Sequence, residues 1–548
     1  MTIKIGVVQL NPSVGAISAN RDEIIRYIDE GRRRHCDLVV FPELALVGYS
    51  PLDLLWQREF IQTAEAALEE IVRSSTDISV ILGTIEQRPG SSSTANVYDL
   101  SSMHHDTRLY NTAFLISDCV VIGKVYKIYL PSFDVFAEER YFTSQERIQI
   151  FDLYGKKIGI NICEDLWHDE GPTGRQADLG ADLVINLSAS PFYRGKTTIR
   201  HTLGRRRALE NGISLLYVNL CGAQDEIIYD GGSFAYDSNG RLIFQSPYFT
   251  EGLTEFVYSG QGAPITEPKE EPMEHVYQAI VLGIRDYVQK NNFTDVFIGL
   301  SGGIDSALTS ALAVEALGAK QVTAVFMPSD ITAEESRICA YETAQRLEIE
   351  ILEISIAELM ERYRLSLPPI VEGIVAENLQ PRIRGNILMA LANSRDSLVL
   401  APANKSEIAV GYNTLYGDTV GALAPIADLY KTEIYQLAAL INQQAGKQVI
   451  PQRVIDRAPS AELRPNQLDE EDLPPYSILD PLLKAIIEQA LTREQIIARG
   501  FSPLVVDRVL SAYRRSEYKR RQLPPGIKVS SRAFGTGRKM PITCSYID

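Results

Sequence analysis

The chain has 548 residues, 45% of them apolar, which is too long for one ordinary domain and enough for about two or three that bury their own cores. Lys and Arg number 54 against 70 Asp and Glu, a formal charge of −16. That balance argues against general nucleic-acid binding and against an anionic membrane surface, and says nothing of a local basic pocket. The six cysteines are scattered with no C-x-x-C pair, so neither a zinc ribbon nor a thioredoxin-like motif is present, and the scatter reads as reduced and cytoplasmic. No apolar run approaches the roughly 20 residues that span a bilayer. The opening MTIKIGVVQLNP reads as a strand and a turn rather than a signal peptide.

In chain order, β-branched runs predict strands at Ile3–Leu10, Asp37–Phe41, Ile78–Ile85, Ala113–Ile116, Lys157–Cys163, Asp182–Ser188, Ser214–Leu220 and Gly232–Asp237. Asn20–His35 reads as a helix, and Ser238-Asn239-Gly240 as a hairpin turn. The mixture predicts a layered α/β domain over residues 1–262, with helices covering the sheet faces. Residues 262–275, GAPITEPKEEPMEH, carry three prolines and a charge cluster, which makes 263–275 the expected linker.

Beyond it, residues 276–548 open with helical spacing at Val276, Ile280, Ile284 and Val288. A strand–helix series follows: Asp295–Leu300, Ser306–Leu317, Gln321–Met327, Ala333–Leu347, Glu350–Ile354 and Ser397–Leu400. That rhythm predicts a doubly wound parallel sheet. Gln452–Ser477, with four prolines and the acidic run Asp469–Asp472, reads as a long mobile loop of the kind that forms lids.

The most informative segment of the second half is GLSGGIDS, Gly299–Ser306, between a predicted strand and a predicted helix. Adjacent glycines allow a sharp turn that aims successive N–H groups at an anion. It is neither a G-x-x-x-x-G-K-[ST] loop nor G-x-G-x-x-G. SGGIDS resembles the pyrophosphate loop of ATP-pyrophosphatases. ENLQPRIRGN (Glu377–Asn386), NKSEIAVGYNTLYGD (Asn404–Asp418), DLYKTEIY (Asp428–Tyr435), PSAELRPNQLDEEDLPPY (Pro459–Tyr476) and SEYKRRQ (Ser516–Gln522) resemble the NAD synthetase family in the expected order. The resemblance implies an adenine nucleotide alpha hydrolase-like domain that adenylates deamido-NAD with ATP and Mg²⁺. It implies Gly299, Leu300, Ser301, Gly302, Gly303, Ile304, Asp305, Ser306 and Lys431 as ATP-binding. It implies Asn378, Glu407 and Lys519 as deamido-NAD contacts, and Asp305 and Glu407 as the Mg²⁺ ligands. One departure stands out: Pro402-Ala403 replaces the family's Thr-Gly, and proline has neither hydroxyl nor N–H to offer ATP. No histidine follows His275, which excludes histidine acid–base chemistry from this half.

In the first half, FPELALVGY (Phe41–Tyr49), KVYKIYLPSF (Lys124–Phe133) and INICEDLW (Ile160–Trp167) resemble the Glu–Lys–Cys triad segments of the nitrilase superfamily. This implies an α-β-β-α sandwich with Cys163 as nucleophile, Glu43 as general base and Lys127 as oxyanion partner, the last alongside the backbone N–H of Glu164. FAEERYF (Phe136–Phe142) implies Glu138 as a supporting carboxylate, and LSASPFYRGK implies Ser190 and Lys196 as glutamine contacts. The family tyrosine is Phe133 here, so its hydroxyl is lost, and His168 reads as a surface or structural histidine because a triad is complete without it. Together the resemblances imply a glutaminase passing ammonia through a protein tunnel to a deamido-NAD amidating domain. They also imply homo-oligomers paired through the synthetase domain, acting on small molecules. Two rivals stay open: an amidotransferase with another acceptor, of the GMP synthetase kind, and an inactive nucleotide-binding protein.

Overall fold

The computed structural model describes residues 2–89, 107–260, 262–266, 272–367, 372–465 and 467–545. The chain divides into two units, residues 1–224 with 228–270, and residues 225–227 with 271–548.

The first unit contains β1 (Ile3–Gln9), α1 (Ile17–Arg33), β2 (Leu38–Val40), α2 (Arg58–Ser74), β3 (Ser79–Pro89), β4 (Thr107–Ser117) and β5 (Val120–Tyr126). There follow β6 (Ile150–Leu153), β7 (Lys156–Ile162), α3 (Pro172–Asp178), β8 (Leu183–Ser188), α4 (Lys196–Asn211) and β9 (Ser214–Asn219). A two-stranded ribbon of β10 (Cys221–Gln224) and β11 (Ile227–Asp230) precedes β12 (Phe234–Tyr236), β13 (Leu242–Gln245) and β14 (Gly252–Tyr258). Two six-stranded sheets result, ordered β14-β1-β2-β3-β4-β5 and β13-β12-β9-β8-β7-β6. Strand alternation explains why they stack. Ile3, Ile5 and Val7 of β1 meet Leu183, Ile185 and Leu187 of β8 between the sheets, while Val184 and Leu215 turn outward to the layer holding Leu203 and Ala208 of α4. With α1 and α2 on the other outer face, the unit is an α-β-β-α sandwich.

The second unit begins with α5 (Pro272–Lys290), then β15 (Val296–Gly299), α6 (Ile304–Leu317), β16 (Val322–Phe326), α7 (Glu334–Leu347), β17 (Glu350–Glu353) and α8 (Ala357–Ser366). It continues with α9 (Ile374–Arg395), β18 (Leu398–Leu400), α10 (Lys405–Val410), α11 (Lys431–Ala445), α12 (Gln452–Asp456), α13 (Asp469–Asp472) and α14 (Tyr476–Ile487). The four strands are parallel in the order β17-β16-β15-β18. Phe297, Val325 and Val399 pack on Ile383, Leu388 and Ala392 of α9, and α6 covers the sheet as well. β15 lies between strands reached in opposite winding directions, the place where a doubly wound sheet opens a crevice.

Several elements differ from expectation. Part of the expected linker, residues 267–271, lies outside the described residues, and α5 starts at Pro272 rather than at Val276. Proline is suited to the first position of a helix because its missing N–H has no partner there anyway. Gln452–Ser477 is not one open loop: it holds α12, α13 and the start of α14. Its middle is tied by the Gln467 side chain, which accepts from the Leu463 N–H at 2.9 Å, and by Gln380, which donates to the Leu463 carbonyl at 3.0 Å. Among the described residues no helix is long and apolar enough to cross a membrane.

Candidate active sites

Three strand ends in the first unit deliver a carboxylate, an ammonium and a thiol. Glu43 follows β2 through Phe41-Pro42, Lys127 follows β5 directly, and Cys163 follows β7 directly. Lys127 Nζ donates to Glu43 Oε1 at 2.7 Å and to Glu138 Oε1 at 2.6 Å, and none of the three residues is more than 2% exposed. Asn111 Nδ2 on β4 donates to Glu43 Oε1 at 2.7 Å and the Ala189 N–H to Oε2 at 2.9 Å, while the Tyr49 hydroxyl donates to Glu138 Oε1 at 2.6 Å. Burial opposes charge on Lys127, but Glu138 and Glu43 outweigh it and hold its pKa well above the ordinary lysine value. Burial pushes Glu138 up against the pull of Lys127. Burial, then the neighbouring Glu43 charge, pushes the Cys163 thiol well up, so the resting group is a thiol that needs a base. Cys163 sits in the left-handed region at φ +44°, at the head of a single 3₁₀ turn, Cys163–Leu166. This strand-to-helix elbow is a strained conformation for a residue with a side chain.

Ser190 lies just past β8, 3% exposed, with its N–H donated to Asn219 Oδ1 at 2.9 Å. Lys196 opens α4 with its ammonium 4.0 Å from the centre of the Trp167 ring. Burial, helped by Arg200 and opposed by Cys163 and Glu164, lowers its pKa to about 8. Phe133 is 58% exposed and meets Phe136 edge-on at 5.5 Å, so the ring packs although the tyrosine hydroxyl is gone. His168 stacks on Tyr129 at 3.7 Å, with Nε2 3.6 Å from Glu164 Oε1. Tyr129, Phe133, Glu164 and His168 border a surface hollow of about 660 Å³.

In the second unit a cavity of about 270 Å³ opens at the ends of β15 and β18. Gly299, Leu300, Ser301, Gly303, Ile304, Asp305 and Ser306 line it, with Pro402, Ala403, Glu407 and Lys431. Gly302 stands behind them at φ +85°, where a Cβ would come within 2.3 Å of the Ser336 carbonyl oxygen, so the turn admits only glycine. Ser301 donates its N–H to Ser306 Oγ at 3.2 Å, which shapes the loop ahead of α6.

Lys431 Nζ, at the start of α11, lies 2.6 Å from Asp305 Oδ2 and 3.2 Å from Glu407 Oε1. Asn404 connects the same pair: its Nδ2 donates to Asp305 Oδ1 at 3.0 Å and its Oδ1 caps the Glu407 N–H at 3.0 Å. Burial pushes Glu407 up to about 8 despite Lys431. Burial opposes charge on Lys431, and Asp305 and Glu407 hold it above its ordinary range. Asp480 aligns the two helices, accepting from the Ser406 hydroxyl at 2.6 Å and the Thr432 N–H at 2.8 Å. Asp469, from the acidic run, also lines the cavity and is raised by burial. Among the described residues no group of three or more His, Cys, Asp or Glu side chains is arranged to hold a metal.

Asn378 and Lys519 sit one step back from the cavity wall. Thr414 Oγ1 donates to Asn378 Oδ1 at 2.7 Å, and Lys519 Nζ donates to the carbonyls of Gly411 and Asn413 at 2.8 and 2.7 Å. Both hold the loop whose Tyr412 and Asn413 line the cavity. Tyr49, Asn111, Asn404, Asp469 and Asp480 were not singled out from the sequence, although Tyr49, Asn404 and Asp469 stand inside the segments that carry the resemblance.

Residues 4–256 match the carbon-nitrogen hydrolase family and residues 276–524 match the NAD synthase family. A glutamine-dependent NAD(+) synthetase of Synechocystis sp. is 40% identical over 562 aligned residues, which cover 99% of each chain. The chain belongs to the glutamine-dependent NAD(+) synthetase family. Another member, from Thermotoga maritima, is 36% identical over 99% of this chain and 98% of its own. Among solved structures, the family member from Acinetobacter baumannii, in complex with adenosine diphosphate, superposes with a TM-score of 0.77 at 36% identity over 99% of this chain and 98% of that one.

Proposed function

We propose that the chain converts deamido-NAD to NAD with ATP, taking nitrogen from glutamine. The observation that carries the reading is the buried Lys127 ammonium between Glu43 and Glu138 beside the Cys163 elbow, in a chain whose other unit holds an open phosphate-loop cavity. In the first unit Glu43 takes the thiol proton, and the Cys163 sulfur attacks the side-chain amide of glutamine. Lys127 and the Glu164 N–H stabilise the oxyanion. Glu43 returns the proton to the departing ammonia, leaving a thioester. Water, deprotonated by Glu43, then releases glutamate and restores the thiol. Ser190 and Lys196 hold the glutamine.

In the second unit the deamido-NAD carboxylate attacks the α-phosphorus of ATP and pyrophosphate leaves. Ammonia then attacks the acyl adenylate, and AMP leaves as NAD forms. The Gly299–Ser306 loop cradles the phosphates, Lys431 neutralises charge on them, and Val325, Met327 and Leu388 offer an apolar slot for the adenine. Asn378, Glu407 and Lys519 orient deamido-NAD, the first and last through the 411–414 loop. Asp305 and Glu407 are the residues that would hold Mg²⁺, a cation suited by hard carboxylate oxygens, and it would supply positive charge against the phosphates. Pro402 and Ala403 give the cavity a wall without a hydroxyl, which leaves the loop and Lys431 to carry more of the nucleotide contact. We place the protein in the cytoplasm as a homo-oligomer joined through the second unit, where Leu365 and Ile374 are 64% and 70% exposed.

Pyrophosphate release, measured with deamido-NAD and with xanthosine or nicotinate mononucleotides as acceptors, tests the reading. Release with deamido-NAD is expected to exceed the others by about 10²-fold or more. Equal release with all acceptors overturns the assigned substrate.

A further inference from the structure

Asp165 lies two residues beyond the nucleophile and is fully buried. Its Oδ1 accepts the N–H groups of Ile128 and Tyr129, each at 3.0 Å, and its Oδ2 accepts the N–H of Ile162 at 3.1 Å. Ile128 and Tyr129 come directly after Lys127, and Ile162 comes directly before Cys163. One carboxylate therefore ties the strand end that carries the ammonium to the strand end that carries the thiol.

The topology makes that tie significant. β5 is the edge strand of one sheet and β7 belongs to the other, so no backbone ladder sets one against the other. The sheets meet through apolar side chains such as Val125, Ile160 and Ile162, and apolar contact is non-directional. It presses the sheets together without fixing the ends to a fraction of an ångström. Hydrogen bonds have direction and a narrow range of length. Cys163 also needs its backbone held at φ +44°, a conformation that persists only where its surroundings over-determine it.

We propose that Asp165 is a positioning residue that sets the Cys163 thiol against Lys127 across the two sheets, an inference that rests on the glutaminase reading above. It touches neither glutamine nor the sulfur and acts by holding three backbone N–H groups.

The test uses the full chain with glutamine or ammonium as nitrogen source. Asp165→Asn keeps one acceptor oxygen for Ile128 and Tyr129 and turns an amide N–H₂ toward Ile162, while Asp165→Ala removes every acceptor. Glutamine-driven kcat is expected to fall about 10-fold in the first and about 10²-fold in the second, the scale of a misplacement near 1 Å. The KM for glutamine should stay within about threefold and ammonium-driven kcat should be unchanged, as expected of misalignment rather than lost binding. The rate of Cys163 alkylation by iodoacetamide, read by peptide mass spectrometry, should fall in parallel. A native glutamine-driven kcat in either folded variant overturns the proposal, as does a loss confined to KM or a native alkylation rate. If Asp165→Ala does not fold, Asp165→Asn decides alone. Cys163→Ala in the same assay tests the underlying reading separately: glutamine-driven turnover retained there overturns the glutaminase assignment, whatever Asp165 does.

Discussion

Each unit holds a lysine between two carboxylates, and the two arrangements differ in what surrounds them. Lys127 with Glu43 and Glu138 is sealed, its side chains 0–2% exposed. Lys431 with Asp305 and Glu407 faces a cavity, and its two carboxylates are each 19% exposed. In the sealed trio Asn111, the Ala189 N–H and Tyr49 donate to the same two carboxylates and fix them further. Such a trio is a fixed frame of charges beside the thiol. In the open trio the carboxylates can be claimed by a cation and the ammonium by phosphates. The same three charges thus serve a permanent geometry in one place and an exchangeable one in the other.

The largest effect expected is a clean separation of the halves. Cys163→Ala should cut glutamine-driven NAD formation by about 10⁴-fold or more, the scale seen when a nucleophile is removed, while high ammonium still supports it. NAD formation from each nitrogen source, followed by chromatography, checks this, and turnover with glutamine in a well-folded variant would contradict it. Asp305→Ala should do the reverse, lowering pyrophosphate release by about 10²–10³-fold through loss of the carboxylate that would hold a cation against the phosphates. Cys163 alkylation should stay at its native rate in that variant. Near-native pyrophosphate release would make Asp305 no more than a residue of the first helical turn.

Replacing each lysine sharpens the contrast between sealed and open. Lys127→Met leaves two carboxylates buried without their cation and should destabilise the first unit by about 3–5 kcal/mol. Lys431→Met leaves carboxylates that are each 19% exposed, and the cost there should be smaller than at Lys127 because water reaches them. Denaturant unfolding of both variants measures the difference, and equal costs would remove the distinction drawn above.

The smallest effect is a pH limb. Lys196 has a pKa lowered to about 8 by burial, so its ammonium is present below that value and lost above it. If it grips the glutamine carboxylate, glutamine-dependent kcat/KM should fall as pH rises through about 8, by up to tenfold per unit. Lys196→Arg keeps its charge at these pH values and should move the limb upward. A profile that is the same in both proteins would detach Lys196 from the substrate.

Much of this was legible in the sequence, for reasons that particular segments show. Ile3–Leu10, Ile78–Ile85 and Asp182–Ser188 are apolar, β-branched runs, and each became the larger part of a strand, the second running on through polar residues to Pro89. Ile150–Leu153 has four residues, too few for a period of two to stand out, and was not expected, whereas Leu242–Gln245 was signalled only by the hairpin turn at Ser238-Asn239-Gly240 that pairs it with Phe234–Tyr236. Helix α4 escaped notice because the face it buries includes Thr197, Arg200, His201 and Arg207, so it shows no apolar stripe. Arg207 is satisfied inside by the Leu166 and Trp167 carbonyls, a pairing no local pattern announces. The Glu43, Lys127 and Cys163 positions could be read because each sits in an extended motif. Asn111 has no such context, and Asp165 acts only on backbone groups. The prolines of Gln452–Ser477 suggested an open loop, since side-chain ties such as those of Gln467 are made only in three dimensions.

The left-handed backbone at Cys163 has a bearing on how this position drifts under selection. Glycine takes φ near +44° freely, whereas any other side chain meets steric resistance. Folding alone therefore favours losing the side chain here, and only turnover favours keeping the sulfur. A library of variants sorted for abundance and the same library sorted for glutamine-dependent growth would diverge at residue 163, the first drifting toward glycine and the second holding cysteine. A thiol retained at this position would record what the site does rather than how the chain folds.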